Sequence, residues 1–271
     1  MILLRLFSRK WLLTTLLVFV AMGVMVRLGY WQLDRLEKRR AFNARVQAQI
    51  DQPHLELTAS ALTSDLESSL EDMEYRQVVV VGEYDHDAEV ALRNQAWNNR
   101  IGVHLITPLR IAGSDQAVLV NRGWIPFEDF TAGNMAQYAE PGQVEVRGVI
   151  RASQIRPEIG WRKDIVPRPG EPPLKAWNMI NVPGIASQVS EPLLPIYIQQ
   201  APDPAWTALP YRSLPVLELT EGPHLGYAIQ WFIFATILGI GYPLYVQREE
   251  TNLASPAKTR DYLRPNSSSP H

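Results

Sequence analysis

The sequence predicts a membrane protein in which two transmembrane α-helices flank a mostly antiparallel, β-barrel-like α+β domain on the extracytoplasmic side. Two long apolar segments, one near each end of the chain, predict the helices. Short β-branched runs separated by Gly, Pro, Asn or Asp predict the sheet between them. Hydrophobic residues make up 46% of the 271 residues, so the domain has enough apolar material for a core.

The first apolar segment predicts a transmembrane helix over residues 11–31. From Trp11 to Val26, threonines are the polar residues. A helix from Trp11 to Trp31 is about 30 Å long, which matches the hydrocarbon thickness of a bilayer and places an aromatic anchor at each end. The basic leader also fits a signal peptide, but no convincing small-x-small cleavage site follows, so we expect an uncleaved anchor. Helical spacing continues over residues 32–50 and predicts an amphipathic stalk.

The second apolar segment predicts a transmembrane helix over residues 223–246. No charged residue occurs from Leu225 to Val246, a stretch about 33 Å long as a helix. A Gly-Pro pair precedes the segment, and Pro243 is expected to break the helix near its end. Two spans place both chain ends on one side of the membrane and residues 32–222 on the other.

The charges around the first segment predict which side that is. Arg5, Arg9 and Lys10 favour a cytoplasmic N-terminus over residues 1–10, although basic residues also follow the segment. We therefore expect the large domain outside the cytoplasm. Residues 247–271, rich in Pro, Ser and charge, are expected to form a disordered cytoplasmic tail. The leader lacks the composition of a transit peptide, which favours a prokaryotic plasma membrane.

Between the two segments the pattern changes to the short β-branched runs typical of strands. Prolines and charges over residues 161–173 predict a loop, and Pro183 opens a predicted short helix at 182–190. One domain, β with minor α, accounts for all of these elements. The predicted strands span residues 77–84, 89–92, 103–106, 117–121, 144–150 and 195–199.

The composition excludes several classes of function. The chain has no cysteine, which excludes thiolate nucleophiles, zinc ribbons, iron–sulfur clusters and cysteine-based copper carriers. With 26 basic and 28 acidic residues the net charge is near zero, so nucleic-acid binding is disfavoured. The sequence contains neither the G-x-S-x-G motif of serine hydrolases nor a glycine-rich phosphate loop. The residues therefore give no support to serine hydrolase or phosphate-loop chemistry.

Two polar stretches of the domain permit both a functional and a structural interpretation. The acidic residues between Glu83 and Glu89 could bind a divalent cation or act as the acid/base pair of a hydrolase or metal enzyme. Their spacing does not match a calcium loop, and a hairpin turn is favoured. In Asn121–Pro126, Arg122 could grip a carboxylate or phosphate, with Trp124 as an apolar face. We favour the alternative in which Arg122 is paired inside the domain, a bulge forms at the next glycine and Trp124 lies in the core.

His224 is the candidate metal ligand of the chain. It begins the second apolar segment, and Tyr227 and Trp231 follow on the same helical face. An imidazole at this depth can be an axial ligand of haem iron, with the aromatic rings packing on the macrocycle. An interfacial histidine beside an aromatic belt is equally compatible with these residues. Arg27, near the same end of the first helix, could meet a haem propionate or could extend its side chain to the membrane surface.

Several motifs follow one another along most of the chain. Gly29–Lys38, which leaves the first span, contains the pattern G-x-W-Q-x-x-R, and His224–Phe232, which enters the second, has the pattern H-L-x-Y-x-x-x-W-[FY]. The motifs in between lie at Gly82–Asp85, Leu92–Asn94, Thr107–Leu109, Val120–Pro126 and Pro195–Ile198. One motif alone is weak, but their order between two spans is specific. Together these motifs resemble those of the Surfeit locus protein 1 (Shy-type) family of cytochrome c oxidase assembly factors.

The resemblance implies a protein that is not an enzyme but an assembly factor, which assists delivery or insertion of haem a into the catalytic subunit of cytochrome c oxidase. It implies that subunit and other oxidase assembly factors as partners within the lipid membrane, and haem a as a transient cofactor. In bacterial members the histidine of the second span is associated with haem a ligation, and His224 is the matching residue. Two positions depart from the family pattern. Gly222 stands where asparagine is frequent, and Asn181 stands where an acidic residue follows the mid-domain Trp177. A protein-interaction chaperone of the oxidase subunit without haem binding remains the alternative.

Overall fold

The computed structural model of the protein describes residues 6–154, 164–168 and 170–254. The chain divides into two compact units. A helical unit contains the residues up to Asn43 and those from Leu219 onward, and a β unit contains Ala44–Glu218. The prediction of two long apolar helices and one β domain between them is confirmed.

The helices and strands are numbered here in chain order. The helices are α1 (Leu12–Ile50), α2 (Ser64–Ser69), α3 (Phe127–Thr131), α4 (Val182–Ala186) and α5 (His224–Ala254), with 3-10 helices at Leu70–Met73 and Asn134–Tyr138. The strands are β1 (Leu55–Leu57), β2 (Gln77–Tyr84), β3 (Val90–Trp97), β4 (Arg100–Ile111), β5 (Ala117–Pro126), β6 (Gln143–Ala152), β7 (Ala176–Trp177) and β8 (Leu193–Gln200).

α1 and α5 are both long and apolar enough to cross a membrane, by length and composition. α1 joins the predicted span and the predicted stalk into one helix of 39 residues. Within the most apolar windows of the two helices, 11% and 17% of the residues are buried. The apolar side chains are therefore mostly exposed, in contrast to a core helix of a soluble protein, whose apolar stripe is covered.

α5 runs through Pro243, so the predicted break at this residue is wrong. Proline lacks an N–H and its ring crowds the carbonyl one turn earlier. Tyr242 and Val246, on either side of it, are nevertheless buried in one cluster with Trp11, and this packing holds the helix together. Because α5 continues to Ala254, the predicted tail does not begin at residue 247. The remainder of that predicted tail lies outside the described residues.

The β unit is an eight-stranded sheet whose central strands close into a barrel. The strand order is β1-β2-β6-β8-β5-β4-β3-β7, and a further pairing of β2 with β4 closes a ring of five strands. Among the described strands, five pairings are antiparallel and three are parallel. The predicted mostly antiparallel, barrel-like domain is confirmed.

Gly82 allows β2 to close the ring against β4. It pairs with Ile111, and a Cβ on Gly82 would lie 2.2 Å from the carbonyl oxygen of Arg110. Glycine is therefore required for this close approach of the two backbones. Alternate residues of the ring strands point inward and fill the barrel. This core includes Val78, Val80, Leu109, Val118, Val120, Val146, Ile150, Ile196 and Ile198.

Most predicted strands are confirmed, and the errors fall on short elements. Five predicted strands lie within β2, β4, β5, β6 and β8, while the one predicted at 89–92 begins one residue later and extends to Trp97. The helix predicted at 182–190 ends at Ala186. Of the predicted loop at 161–173, the described residues 164–168 and 170–173 form no helix or strand, and the rest lies outside the described part. The two-residue β7 and three-residue β1 are too short to produce a sequence period.

Candidate functional site

α1 and α5 pack against each other in antiparallel register. Thr15 Oγ1 lies 2.7 Å from Tyr242 Oη, and further along α1 Gly29 contacts the ring of Phe232. A Cβ on Gly29 would lie 2.7 Å from that ring, so the absence of a side chain permits the close approach. Residues of increasing number on α1 thus meet residues of decreasing number on α5.

Polar contacts hold the helix pair at both ends. At one end, Trp11 Nε1 donates a hydrogen bond to Glu250 Oε1 at 2.9 Å. At the other end, the Arg40 guanidinium donates two hydrogen bonds, of 2.8 and 2.9 Å, to the Glu221 carboxylate. Glu221 lies just before the start of α5, so this exposed ion pair links α1 to the chain that leads into the helix.

His224, the first residue of α5, is half-buried against α1. Its Nδ1 lies 2.9 Å from Gln32 Oε1. Because an amide oxygen only accepts hydrogen bonds, Nδ1 carries the proton and Nε2 keeps its lone pair in the neutral ring. A histidine whose second nitrogen is held by a hydrogen bond in this way has the form typical of a metal-ligating imidazole. His224 therefore has one nitrogen oriented by the protein and one available to a metal.

Gly222 leaves space beside the available nitrogen. Its φ is +69°, and a Cβ at this position would lie 3.5 Å from His224 Cδ2 and 3.6 Å from Nε2. A side chain at residue 222 would therefore start directly beside the candidate ligand atom. The resembled family frequently has asparagine where this chain has Gly222. The absence of that side chain leaves the Nε2 side of the ring open.

The other three candidate residues differ in their positions relative to His224. Tyr227 is exposed and Trp231 is half-buried, one and two turns further along α5. Arg27 is exposed, and it lies five residues before Gln32, which is about 140° around α1. The structure thus brings His224 together with Gln32 and keeps the two aromatic residues on successive turns, whereas Arg27 points away from the contact. Roles of these residues toward haem remain predictions.

Gln32 is the site residue that sequence reasoning missed. It is separated from His224 by 192 positions, so no local pattern links the two. The sequence feature that could have identified Gln32 is its position in the G-x-W-Q motif, directly after the first apolar segment. A polar side chain at that depth of a candidate membrane helix is expected to have a partner, and His224 is that partner.

Arg122 belongs to a buried ion cluster in the β unit. Its side chain is fully buried, and its guanidinium donates to Glu89 Oε2 at 2.7 Å and to Glu140 Oε1 at 2.9 Å. The same group also donates to the carbonyl oxygen of Tyr138 and lies 4.8 Å from the centre of the Tyr84 ring. The structural interpretation, in which Arg122 is paired inside the domain, is confirmed, because the carboxylates that it binds belong to the domain itself.

Glu140 connects this cluster to the segment that follows β8. Besides Arg122 it accepts hydrogen bonds from Arg212 at 3.1 and 3.2 Å. The ion cluster, which we define as Glu89, Arg122, Glu140 and Arg212, contains two acids and two bases and is neutral as a whole. Neutrality and close pairing allow these charges to be buried.

The residues beside Arg122 also behave as the structural interpretation predicts. The register of β4 against β5 shifts at Arg122, and Gly123 has a φ of +119°. A Cβ on Gly123 would lie 2.5 Å from the carbonyl oxygen of Tyr211, so glycine is required at this bulge. Trp124 is buried and stacks on Tyr211, with ring centres 6.1 Å apart.

The acidic stretch before β3 forms a turn. Asp85 Oδ1 accepts hydrogen bonds from the backbone N–H groups of Asp87 at 3.1 Å and Ala88 at 3.3 Å. This is the local side-chain bonding typical of aspartate in turns, so the predicted turn is confirmed. The predicted hairpin is wrong, because β2 pairs with β1, β4 and β6 whereas β3 pairs with β4 and β7. In the described part of the chain, no group of three or more His, Cys, Asp or Glu residues is placed to hold a metal ion.

Comparison with known proteins finds a match over most of the chain. Residues 19–236 match the model of the SURF1 family. The matched range includes α1 from its second turn, the whole β unit and the first part of α5, so His224 and Gln32 both lie within it.

Individual relatives agree with the family match. The chain is 26% identical over 239 residues to a SURF1-like protein of Rickettsia conorii, which covers 87% of this chain and 92% of the relative. It is 26% identical over 224 residues to a SURF1-like protein of Monosiga brevicollis, covering 78% of each. It is also 26% identical over 201 residues to Surfeit locus protein 1 of Xenopus tropicalis, covering 68% of this chain and 60% of that protein.

Proposed function

The chain belongs to the SURF1 family, and we propose that it is a non-enzymatic assembly factor for cytochrome c oxidase that assists delivery or insertion of haem a into the catalytic subunit. The observation that carries the haem part of the proposal is the state of His224. Its Nδ1 is hydrogen-bonded to Gln32, and its Nε2 lies on the side of the ring that Gly222 leaves open.

The residues around His224 fit haem a as a cargo. A neutral imidazole nitrogen is a standard axial ligand of haem iron, and the hydrogen bond from Nδ1 to Gln32 fixes the tautomer that such a ligand requires. Tyr227 and Trp231 offer apolar ring surface on the next two turns of the same helix. Arg27 would pair with a propionate only if the cargo extended around α1. The chain would hold the haem and hand it unchanged to the oxidase subunit. This role requires no catalytic group of the chain.

The proposed arrangement in the cell is a two-span protein of a prokaryotic plasma membrane. α1 and α5 would cross the membrane, the N-terminus and the chain beyond α5 would be cytoplasmic, and the β unit would face the extracytoplasmic side. The basic leader before α1 supports this orientation. The proposed partners are the oxidase catalytic subunit and other oxidase assembly factors, because haem a must be handed to that subunit.

The haem proposal is tested by the visible spectrum of the full chain, purified in detergent from cells that make haem a. We expect a haem a spectrum in the wild type and its loss in His224→Ala. His54→Ala is the matched control, because His54 is an exposed histidine of the β unit, and it should keep the spectrum. Haem in both variants would contradict the role of His224, and haem in none of the three proteins would favour the subunit chaperone without haem.

The orientation is tested by labelling single cysteines, which the cysteine-free chain permits without background. Ser60→Cys lies on an exposed part of the β unit and Thr251→Cys on an exposed part of α5. A membrane-impermeant maleimide should label Ser60→Cys in intact spheroplasts and Thr251→Cys only after the membrane is permeabilised. The reverse pattern would overturn the orientation, and labelling of both would show that the chain does not span the membrane.

A further inference from the structure

The face of α1 that points away from α5 carries two exposed arginines around an exposed tryptophan. Arg27, Trp31 and Arg35 follow one another at intervals of four residues, so they lie along one side of the helix. Trp31 is 44% exposed, and the Arg35 guanidinium carbon lies 6.0 Å from the centre of its ring. Gly29 and Gln32, which contact α5, lie on the other side.

The two arginines carry uncompensated positive charge. In the part of the chain that the structure describes, neither Arg27 nor Arg35 has a carboxylate partner. Lys38, one turn beyond Arg35, does have a carboxylate partner, since its ammonium lies 2.8 Å from the carboxylate of Asp34. The arginine pair is therefore available to an anion from outside the chain.

An exposed apolar stripe extends from this arginine pair toward the start of α1. Positions three or four residues apart share one side of a helix, and stepping back from Arg27 in this way reaches the stripe. These side chains would face the hydrocarbon if α1 spans the bilayer. The stripe contains Leu13, Leu16, Leu17, Val20 and Val24, which are between 53% and 70% exposed.

A basic surface followed by an apolar stripe is complementary to an anionic phospholipid, which has a charged headgroup followed by acyl chains. Arg35 already leans over Trp31, and a snorkelling Arg27 side chain would extend toward the same ring from the membrane side. Guanidinium groups bind phosphate oxygens through paired hydrogen bonds. We propose that Arg27, Trp31 and Arg35 bind the phosphate of an anionic phospholipid, with an acyl chain along the stripe. The proposal rests on α1 spanning a membrane, but it requires neither haem nor the oxidase.

Native mass spectrometry of the full chain in a non-ionic detergent tests the proposal. The protein is titrated with phosphatidylglycerol, with phosphatidylcholine of the same acyl chains, and with sodium phosphate. Phosphatidylcholine has the same phosphodiester but carries its own cation, and free phosphate lacks the acyl chains. We expect phosphatidylglycerol to bind at least tenfold more tightly than phosphatidylcholine and inorganic phosphate to bind more weakly than either.

Variants that remove one arginine charge test whether the lipid binds at the Arg27, Trp31 and Arg35 face of α1. Arg35→Gln is the primary variant because Arg35 is not part of the predicted haem site, and it should weaken phosphatidylglycerol binding about tenfold. Arg45→Gln removes the same charge from an exposed position of the same helix and should leave binding unchanged. Far-UV circular dichroism checks that both variants keep their helices. Equal affinity for the two lipids, or an equal loss in Arg35→Gln and Arg45→Gln, would overturn the proposal. Binding of inorganic phosphate as tight as that of phosphatidylglycerol would also overturn it.

Discussion

Arg122 of the β unit and His224 of the helical unit both lie in motif-rich stretches, but they differ in how many of their polar atoms have a partner within the protein. Arg122 is fully buried between two carboxylates of its own domain. His224 is half-buried and has a hydrogen bond to one of its two ring nitrogens. Loss of one partner of a buried ion pair destabilises a fold, whereas a ring nitrogen without a partner is accessible to a ligand. Arg122 is therefore a structural residue, and His224 is the residue of the two that could bind a ligand.

The largest expected effect is the loss of stability on removal of Arg122. Arg122→Met leaves the buried Glu89 without its arginine and leaves Glu140 with Arg212 alone, and breaking a buried ion pair in this way costs about 3–5 kcal/mol. The free energy of unfolding is measured by denaturant titration of the full chain in detergent, followed by near-UV circular dichroism. Arg147→Met is the control, because its ion pair with Glu145 is exposed and its loss should cost below about 1 kcal/mol. Equal losses in the two variants would show that the buried ion pairs of Arg122 matter no more to stability than the exposed pair of Arg147.

A second prediction concerns His104 of the β unit, whose ring is held inside the fold by burial and by a hydrogen bond. Burial lowers the pKa of His104 to about 4, and Asn121 Nδ2 donates to its Nδ1 at 3.1 Å. The unfolded chain, with an ordinary histidine pKa near 6.5, binds more protons between pH 6.5 and 4. Stability supplied by the neutral ring is therefore complete above pH 6.5 and is lost as the pH falls through this window.

This pH dependence is measurable as a loss of about 2–3 kcal/mol in the free energy of unfolding between pH 7 and pH 4.5. His104→Gln should lack that part of the loss, whereas the exposed-site control His54→Gln should retain it. Denaturant midpoints at the two pH values provide the measurement. A wild-type profile unchanged by His104→Gln would show that this ring is not kept neutral by the fold.

The smallest expected effect tests the orienting role of Gln32 and rests on the proposed haem function. Gln32→Ala removes the acceptor of the His224 Nδ1 proton, and loss of such a supporting hydrogen bond lowers metal affinity about 10- to 100-fold. Titration of the haem-free protein with haem a, followed by absorbance, measures the affinity. Gln47→Ala, an exposed position on the same helix, is the control. Unchanged affinity in Gln32→Ala would mean that His224 needs no orientation by α1.

Local patterns predicted the long elements because one period repeats along each of them. α1 and five of the strands were predictable in this way, whereas β1 and β7 are shorter than the pattern needed to detect them. Pro243 misled the prediction because a local rule ignores packing, and Tyr242 and Val246 are buried on either side of it. Closure of the barrel depends on β2 meeting β4, a pairing of three residues per strand that no local signal reveals.

The contacts of the candidate sites were less predictable than the residues themselves. His224 could be selected from its place at the end of an apolar segment, but Gln32 is 192 positions away. Arg122 could be selected from its unusual neighbours, but its partners Glu89 and Glu140 lie 33 and 18 positions away. Whether a polar residue is satisfied depends on such distant partners, so sequence alone left both interpretations of each residue open.

The contacts at the two ends of the helix pair make the lengths of α1 and α5 depend on each other. An insertion of one residue between Trp11 and Arg40 would rotate the helix beyond it by about 100° and shift it by about 1.5 Å. The bonds to Glu250 and Glu221 could not then both survive. A matching insertion in α5 would be needed to restore them. We therefore expect these two helices to tolerate substitution in their apolar stretches far better than they tolerate an insertion or deletion in one helix alone.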